Sequence, residues 1–197
     1  MRRKVFDILV SIGGLVAVVT LAIAGALATW GYDFANNDVH TQLSQQQIVF
    51  PAKGSPELAS PLIGPYLNQY AGQKLTTGAQ AEAYADHFIA VHLSEMPLGG
   101  VYANVSAASM ANPKNAALAA EVQTSFQGTT LRGLLLEAYA FSVFAAIALW
   151  AAIASFTLAF LMAVLVAFGF WHARRTPETT EILTRHPAPA EPEPTPV

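Results

Sequence analysis

The chain has 197 residues, 53% hydrophobic and only 12% charged, with a mean hydropathy of +0.39 and a formal net charge of −3. Ordinary soluble domains carry about twice that charged fraction, and the acidic balance gives no basic footprint for nucleic acid. With no cysteine, a disulfide framework, thiolate metal sites and haem attachment through C-x-x-C-H are all ruled out.

The first seven residues carry Arg2, Arg3 and Lys4. A charge-free run of 25 residues follows at 8–32, "ILVSIGGLVAVVTLAIAGALATWGY". A helix needs roughly 20 apolar residues to cross a hydrocarbon core about 30 Å thick, so this run predicts a first transmembrane helix. The basic start and the triplet Ala26-Leu27-Ala28 also fit a cleavable signal peptide. The apolar stretch, however, outruns the roughly 7–15 residues of a signal h-region, and an uncleaved anchor is expected.

Residues 33–137 read as a helical extracytoplasmic domain. Its start, "DFANNDVHTQLSQQQIVF", continues the first helix a few turns past the membrane. Pro51, Pro56, Pro61 and Pro65 then break the chain, since proline removes a donor and clashes with the preceding turn. Leu58, Leu62 and Ile63 suit a loop laid over an apolar surface, with a short helix over 66–70. Thr77 and Gln80 fit a capping box that opens a helix to about Met96, where Pro97, Gly99 and Gly100 stop it. A helix over 101–111 comes next. Asn112-Pro113 reads as the cap and first position of another, closed by Gly128 as a C′ glycine. Thr129 or Thr130 caps the last helix.

The second charge-free run, 138–171, has 34 residues. Trp150 and Trp171 would lie about 32 Å apart on a helix, which matches two aromatic belts around a buried span at 151–170. The dozen residues before Trp150 are then an extramembrane extension of the same helix. Phe141, Phe144 and Leu149 are expected to be buried in the outer domain as its spine, Phe141 and Phe144 against Tyr84 and Phe88. Residues 172–197 form a proline-rich tail too poor in apolar residues to fold; His172 and His186 read as interfacial or tail residues. Basic residues before the first span and after the second, Arg174 and Arg175, put both termini in the cytoplasm by the positive-inside rule. The intervening region carries four basic residues against eight carboxylates. The resulting class is an all-α membrane protein of the plasma membrane, with two transmembrane helices flanking a helical outer domain. Helices meet in lipid through small residues, and two seams qualify: Gly13, Ala17, Thr20, Ala24, Leu27 and Gly31, and Ala145, Ala148, Ala152, Ser155 and Ala159.

Only "AEAYADHFIAVHLSEM", residues 81–96, gathers chemistry, with Glu82, Asp86, His87, His92 and Glu95. These are the only candidate metal ligands. Zinc motifs such as H-E-x-x-H place two histidines at i,i+4 so that both imidazoles converge; His87 and His92 miss that spacing by one residue, about 140° apart on an α-helix. The apolar stripe Ala81, Tyr84, Ala85, Phe88 and Val91 has helical spacing and leaves most of the cluster facing solvent. No catalytic residue or cofactor site is expected. The chain has no nucleophile elbow, P-loop, dinucleotide fingerprint or EF-hand.

The segments "QQQIVFPAKGSPELASP", "GAQAEAYADHFIAVHL" and "TLRGLLLEAYAF" resemble a group of uncharacterised actinobacterial two-span membrane proteins, over most of the chain up to about Arg175. Some members are named for aromatic ring-opening dioxygenases. That chemistry needs iron held by histidines and a carboxylate, and the outer region here offers only His40, His87 and His92. The resemblance implies topology and assigns no residue a role. The resulting expectation is a non-catalytic accessory or scaffold component of a cell-envelope assembly. Its contacts would be the bilayer and a membrane-protein partner, met through the transmembrane helices or the Pro51–Pro65 loop, with no nucleic acid. The alternatives are a sensor or ligand-binding receptor signalling through a separate partner, and an enzyme or metal-binding protein using the His87/His92 region.

Overall fold

A computed structural model describes residues 2–177. Every regular element in that range is helical: α1 (Arg3–Gln45), α2 (Pro56–Ala59), α3 (Gly64–Leu67), α4 (Gly78–Tyr84), α5 (Ala90–Ser94), α6 (Tyr102–Ala111) and α7 (Ala116–Arg175). Short 3-10 turns cover Asn68–Tyr70 and Pro97–Gly100, and a π turn covers Ala85–Ile89. The one extended pairing among the described residues is an antiparallel bridge between Val49 and Lys74. α1 and α7 are both long and apolar enough to cross a membrane. The proline-rich tail and His186 fall outside the described residues from residue 178 onward. Residues 172–175 belong to α7, whose last turn carries His172, Arg174 and Arg175, a placement that the negative helix C-terminus favours.

The chain divides into two compact units. The first, Leu27–Ala151, holds the loops and short helices. Its core gathers Val39 and Leu43 of α1, Leu135 of α7, and Phe50, Leu58, Ile63, Leu67, Leu75, Ala81 and Ile89 from the segment between. The proline-rich stretch lies over this core as expected: Leu58, Ile63 and Leu67 are buried, while Leu62 faces out. It contains more helix than proline spacing suggests, because Pro56 and Pro65 occupy first-turn positions of α2 and α3, where the missing N–H costs nothing. Gly64 permits the tight approach between them, since a Cβ there would come within 2.3 Å of the Leu58 carbonyl oxygen. Phe50 N–H donates to Gln73 O and Leu75 N–H to Ile48 O, both at 2.9 Å, which closes the base of the excursion.

The capping box at α4 forms as its residues predict: Thr77 Oγ1 accepts from Gln80 N–H, and Gln80 Oε1 accepts from Thr77 N–H at 3.1 Å. The start of α7 does not. Asn115, not Asn112, is the cap, its Oδ1 accepting from Ala117 and Leu118 N–H at 3.1 and 3.3 Å. Gly128 does not close a helix either, and neither Thr129 nor Thr130 opens one. All three lie inside α7. Gly128 serves close packing instead, because a Cβ there would meet Leu93 Cδ2 at 2.7 Å.

The second unit pairs the N-terminal part of α1 with the C-terminal part of α7. Ser11 meets Gly169, Gly14 meets Val166 and Gly25 meets Phe156, so the helices run antiparallel. On α7, Ala152, Ala159, Val166 and Ala173 are buried at intervals of seven, the repeat of a left-handed crossing. Of the small-residue seam expected on α7, Ala152 and Ala159 are buried and Ser155 half-buried in this unit; in the Leu27–Ala151 unit Ala145 is buried and Ala148 half-buried. The seam expected on α1 forms only in part: Ala17 and Gly31 are half-buried, Gly13, Thr20, Ala24 and Leu27 face outward, and Ser11, Gly14 and Gly25 make the close contacts to α7. Two adjacent glycines permit either phase, and shape complementarity decides: a Cβ on Gly14 would sit 2.6 Å from Val166 Cγ2, one on Gly13 would meet nothing.

The expected aromatic spine is also corrected. Phe141 and Phe144 are 45% and 65% exposed, and Leu149 is only half-buried. Tyr84 and Phe88 stack on each other instead, ring centroids 4.7 Å apart. The buried line on this part of α7 runs through Leu135 and Ala145, with Leu131 and Ala138 packed beside the core. Replacing Leu135, 2% exposed, with Ala should cost about 2–5 kcal/mol. Phe144→Ala should leave the Leu27–Ala151 unit within about 0.5 kcal/mol of wild type. Protease resistance of the two variants in detergent separates them, and equal resistance would show the core to be drawn wrongly.

Candidate functional site

The acid–histidine segment begins on α4, passes through the π turn and ends on α5. The widened turn at Ala85–Ile89 changes the angular bookkeeping of a regular helix. A π turn takes up an extra residue and often marks a functional position. Its effect here is visible in burial: Ala81, Ala85 and Ile89 point into the core, while Tyr84, Phe88 and Val91 are only half-buried at its margin. The 140° separation of His87 and His92 on a uniform α-helix therefore does not hold.

The side chains nonetheless go separate ways. Asp86 accepts from Arg132 on α7, Oδ1 to Nη2 2.6 Å, with both groups partly exposed. His87 lies flat against Tyr66 of α3, the rings 3.4 Å apart and 1° from parallel. His92 packs on Phe88, and its Nδ1 lies 2.7 Å from the Phe88 carbonyl. A hydrogen bond there has Nδ1–H donating to the carbonyl oxygen. Glu82 is half-buried and Glu95 exposed. His40 is exposed on α1 and borders a different cavity, with Thr77, Gly78 and Ser142. Among the described residues, no three His, Asp or Glu side chains converge as a metal ion would require.

The electrostatics follow the same division. The Asp86–Arg132 pair is worth little in water, about 0–1 kcal/mol for exposed ions, but it ties α7 to the π turn. Beneath it, Phe50 meets Tyr84 edge-on at 5.4 Å and Tyr70 at 5.2 Å. Burial pushes the Tyr84 phenol above its ordinary value, because the charged form loses solvation. The hydroxyl therefore stays neutral in this aromatic cluster at physiological pH.

Sequence reading missed two of these contacts for a common reason. Asp86 and Arg132 are 46 positions apart, and no local pattern links them. Tyr66 reaches His87 only after the proline-rich excursion folds back. The hint available was compositional: Arg132 is the only arginine between the two apolar runs. Asp86 and His87 thus brace the segment against α7 and α3, while His92 packs within its own helix.

The chain matches no protein-family model, no curated protein and no solved structure.

His87→Ala should lower stability by about 0.5–1.5 kcal/mol, the worth of an aromatic pair, and speed proteolysis within residues 51–65. Added zinc should leave the thermal midpoint of the wild type unchanged. A midpoint that rises with one equivalent of zinc, and does not rise in the His87→Ala/His92→Ala variant, would make the segment a metal site.

Proposed function

We propose that the chain is an integral membrane protein acting as a non-catalytic accessory or scaffold component of a cell-envelope assembly. One observation carries the membrane part: only 11% of the most apolar window of α1 and 17% of that of α7 is buried against the rest of the chain. Leu9, Val16, Ile23 and Trp30 on α1, and Phe156, Phe160, Leu165 and Phe168 on α7, all project outward. Soluble surfaces rarely tolerate such contiguous apolar area, and lipid covers it without cost. The uninterrupted helical course of α1 through Ala26–Ala28 favours an anchor over a cleaved leader.

In this reading residues 1–7 and 172–197 lie in the cytoplasm, 8–32 and 151–170 cross the plasma membrane, the residues from 138 up to the second span extend its helix outside the bilayer, and 33–137 lies outside. The basic residues beside each span favour that orientation. Arg175 also sits over the Trp171 ring at 4.2 Å, a pairing suited to a headgroup boundary. The non-catalytic part rests on the engagement of Asp86 with Arg132 and of His87 with Tyr66, with His92 packed on Phe88 of its own helix. The small amphipathic remainder of the proline-rich stretch, Leu62 and Tyr66, stays outward and offers a partner a second contact beside the spans.

The absence of native cysteine makes the topology simple to test. Single cysteines at Lys53 and Asn115 should react with an impermeant thiol reagent in intact cells, and one at Thr179 only after lysis. Reaction at Thr179 without lysis would sink the in–out–in arrangement. Purification in mild detergent should bring down a stoichiometric membrane-protein partner. A chain that purifies alone with a bound metal would overturn the accessory role.

A further inference from the structure

In the unit that pairs the N-terminal part of α1 with the C-terminal part of α7, the two helices bring their basic ends together. Ser11 packs on Gly169, and one turn further out Asp7 Oδ2 lies 3.8 Å from His172 Nε2. Arg2, Arg3 and Lys4 precede Asp7, and Arg174 and Arg175 follow His172. Five basic side chains therefore gather at one end of the pair, and Asp7 is the one carboxylate there among the described residues. Arg175 holds its guanidinium over the Trp171 ring, 4.2 Å from the centroid. Trp171 in turn meets Phe168 edge-on, ring centroids 6.5 Å apart. Val164, Phe168, Trp171 and Arg175 follow one another at four, three and four, so they share one face of α7, and the three apolar members are exposed.

A guanidinium stacked on an aromatic face keeps its N–H edge free, and that fork matches the oxygens of a phosphate. Interfacial tryptophans sit where hydrocarbon gives way to headgroups, so Trp171 presents the fork at the depth of a lipid phosphate. We propose that this end of the helix pair binds an anionic phospholipid. Arg175 forks the phosphate, and an acyl chain lies along Trp171, Phe168 and Val164. Arg2, Arg3, Lys4 and Arg174 supply a positive potential around the headgroup, each drawing anionic lipid to the surface. A zwitterionic head would bring its own ammonium into that field, which favours a lipid of net negative charge. The apolar stripe running down from the guanidinium favours a lipid over a soluble anion. The site presupposes that α1 and α7 are membrane spans, as proposed above, and does not depend on which end is cytoplasmic.

Trp171 itself reports the site. In the full chain carrying Trp30→Phe and Trp150→Phe it is the one tryptophan left. The chain is reconstituted in phosphatidylcholine vesicles with a minor share of lipid brominated on its acyl chains, which quenches tryptophan on contact. Both leaflets carry the quencher, so the orientation of the chain in the vesicle does not matter. Brominated phosphatidylglycerol should associate about fivefold more strongly than brominated phosphatidylcholine, and raised salt should shrink that advantage. Arg174→Gln/Arg175→Gln should abolish it. Both arginines are exposed, so the variant should keep its fold, and circular dichroism checks this. Equal quenching by the two lipids, or an advantage unchanged in the variant, would overturn the site while leaving the spans in place. If neither lipid quenches Trp171, the membrane reading fails instead, and the site with it. A chain keeping Trp150 alone should be quenched alike by both lipids; the same advantage there would make the preference general and overturn the site. Excess glycerol phosphate in the buffer should change nothing. Loss of the advantage would assign the fork to a soluble phosphate and overturn the lipid.

Discussion

The close antiparallel approach of α1 and α7 is the constraint on which the other features rest. It is made possible by small side chains. Gly14, Gly25 and Gly169 each stand where a Cβ would crowd the facing helix, and Ala152, Ala159, Val166 and Ala173 are buried every seventh residue on α7. Shape holds them, through dispersion contacts between surfaces that fit. The large residues are then left to point outward, which is why so much of both helices is apolar and uncovered.

In the Leu27–Ala151 unit the same two helices supply a different kind of surface. Val39, Leu43 and Leu135 form one side of a conventional hydrophobic core, and the excursion from Gln46 to Thr77 folds over it with Phe50, Leu58, Ile63 and Leu67. Without disulfides, this unit depends on packing and on a few well-placed polar contacts. Buried Gln80 receives two backbone N–H groups and donates to Gln73 Oε1 at 3.1 Å. Buried Ser125 of α7 donates to the Gly100 carbonyl at 2.5 Å, where the chain turns with Leu98 in a left-handed conformation, φ 59°. Such backbone is costly for a residue with a side chain, and the turn is held by its neighbours rather than by its own preference.

The acid–histidine segment illustrates how composition can look like chemistry and act as structure. Asp86, His87 and His92 each find a partner from a different direction: α7, the proline-rich excursion, and the preceding turn of their own helix. The π turn allows this divergence, because it shifts the buried face partway along and frees Tyr84 and Phe88 to stack at the margin. Asp38 and Glu137 show the reverse: neither stands out in the chain, and only the pairing of α1 with α7 brings both to the border of one hollow.

The sequence by itself determined the all-helical class, the two apolar runs and the capping box at Thr77. These depend on composition over a window or on residues three apart, and such signals survive whatever the rest of the chain does. It also determined that residues 51–65 would lie over apolar surface, since Leu58 and Ile63 have nowhere else to go. Tertiary structure decided the rotational phase of α1, the continuity of α7 through Gly128, and the burial of Leu135 in place of Phe141 and Phe144. Each of these turns on whether a particular side chain fits against another far away in the chain. Gly13 and Gly14 are equivalent as letters and differ only in what faces them; Gly128 reads as a terminator until Leu93 occupies the space a side chain would need.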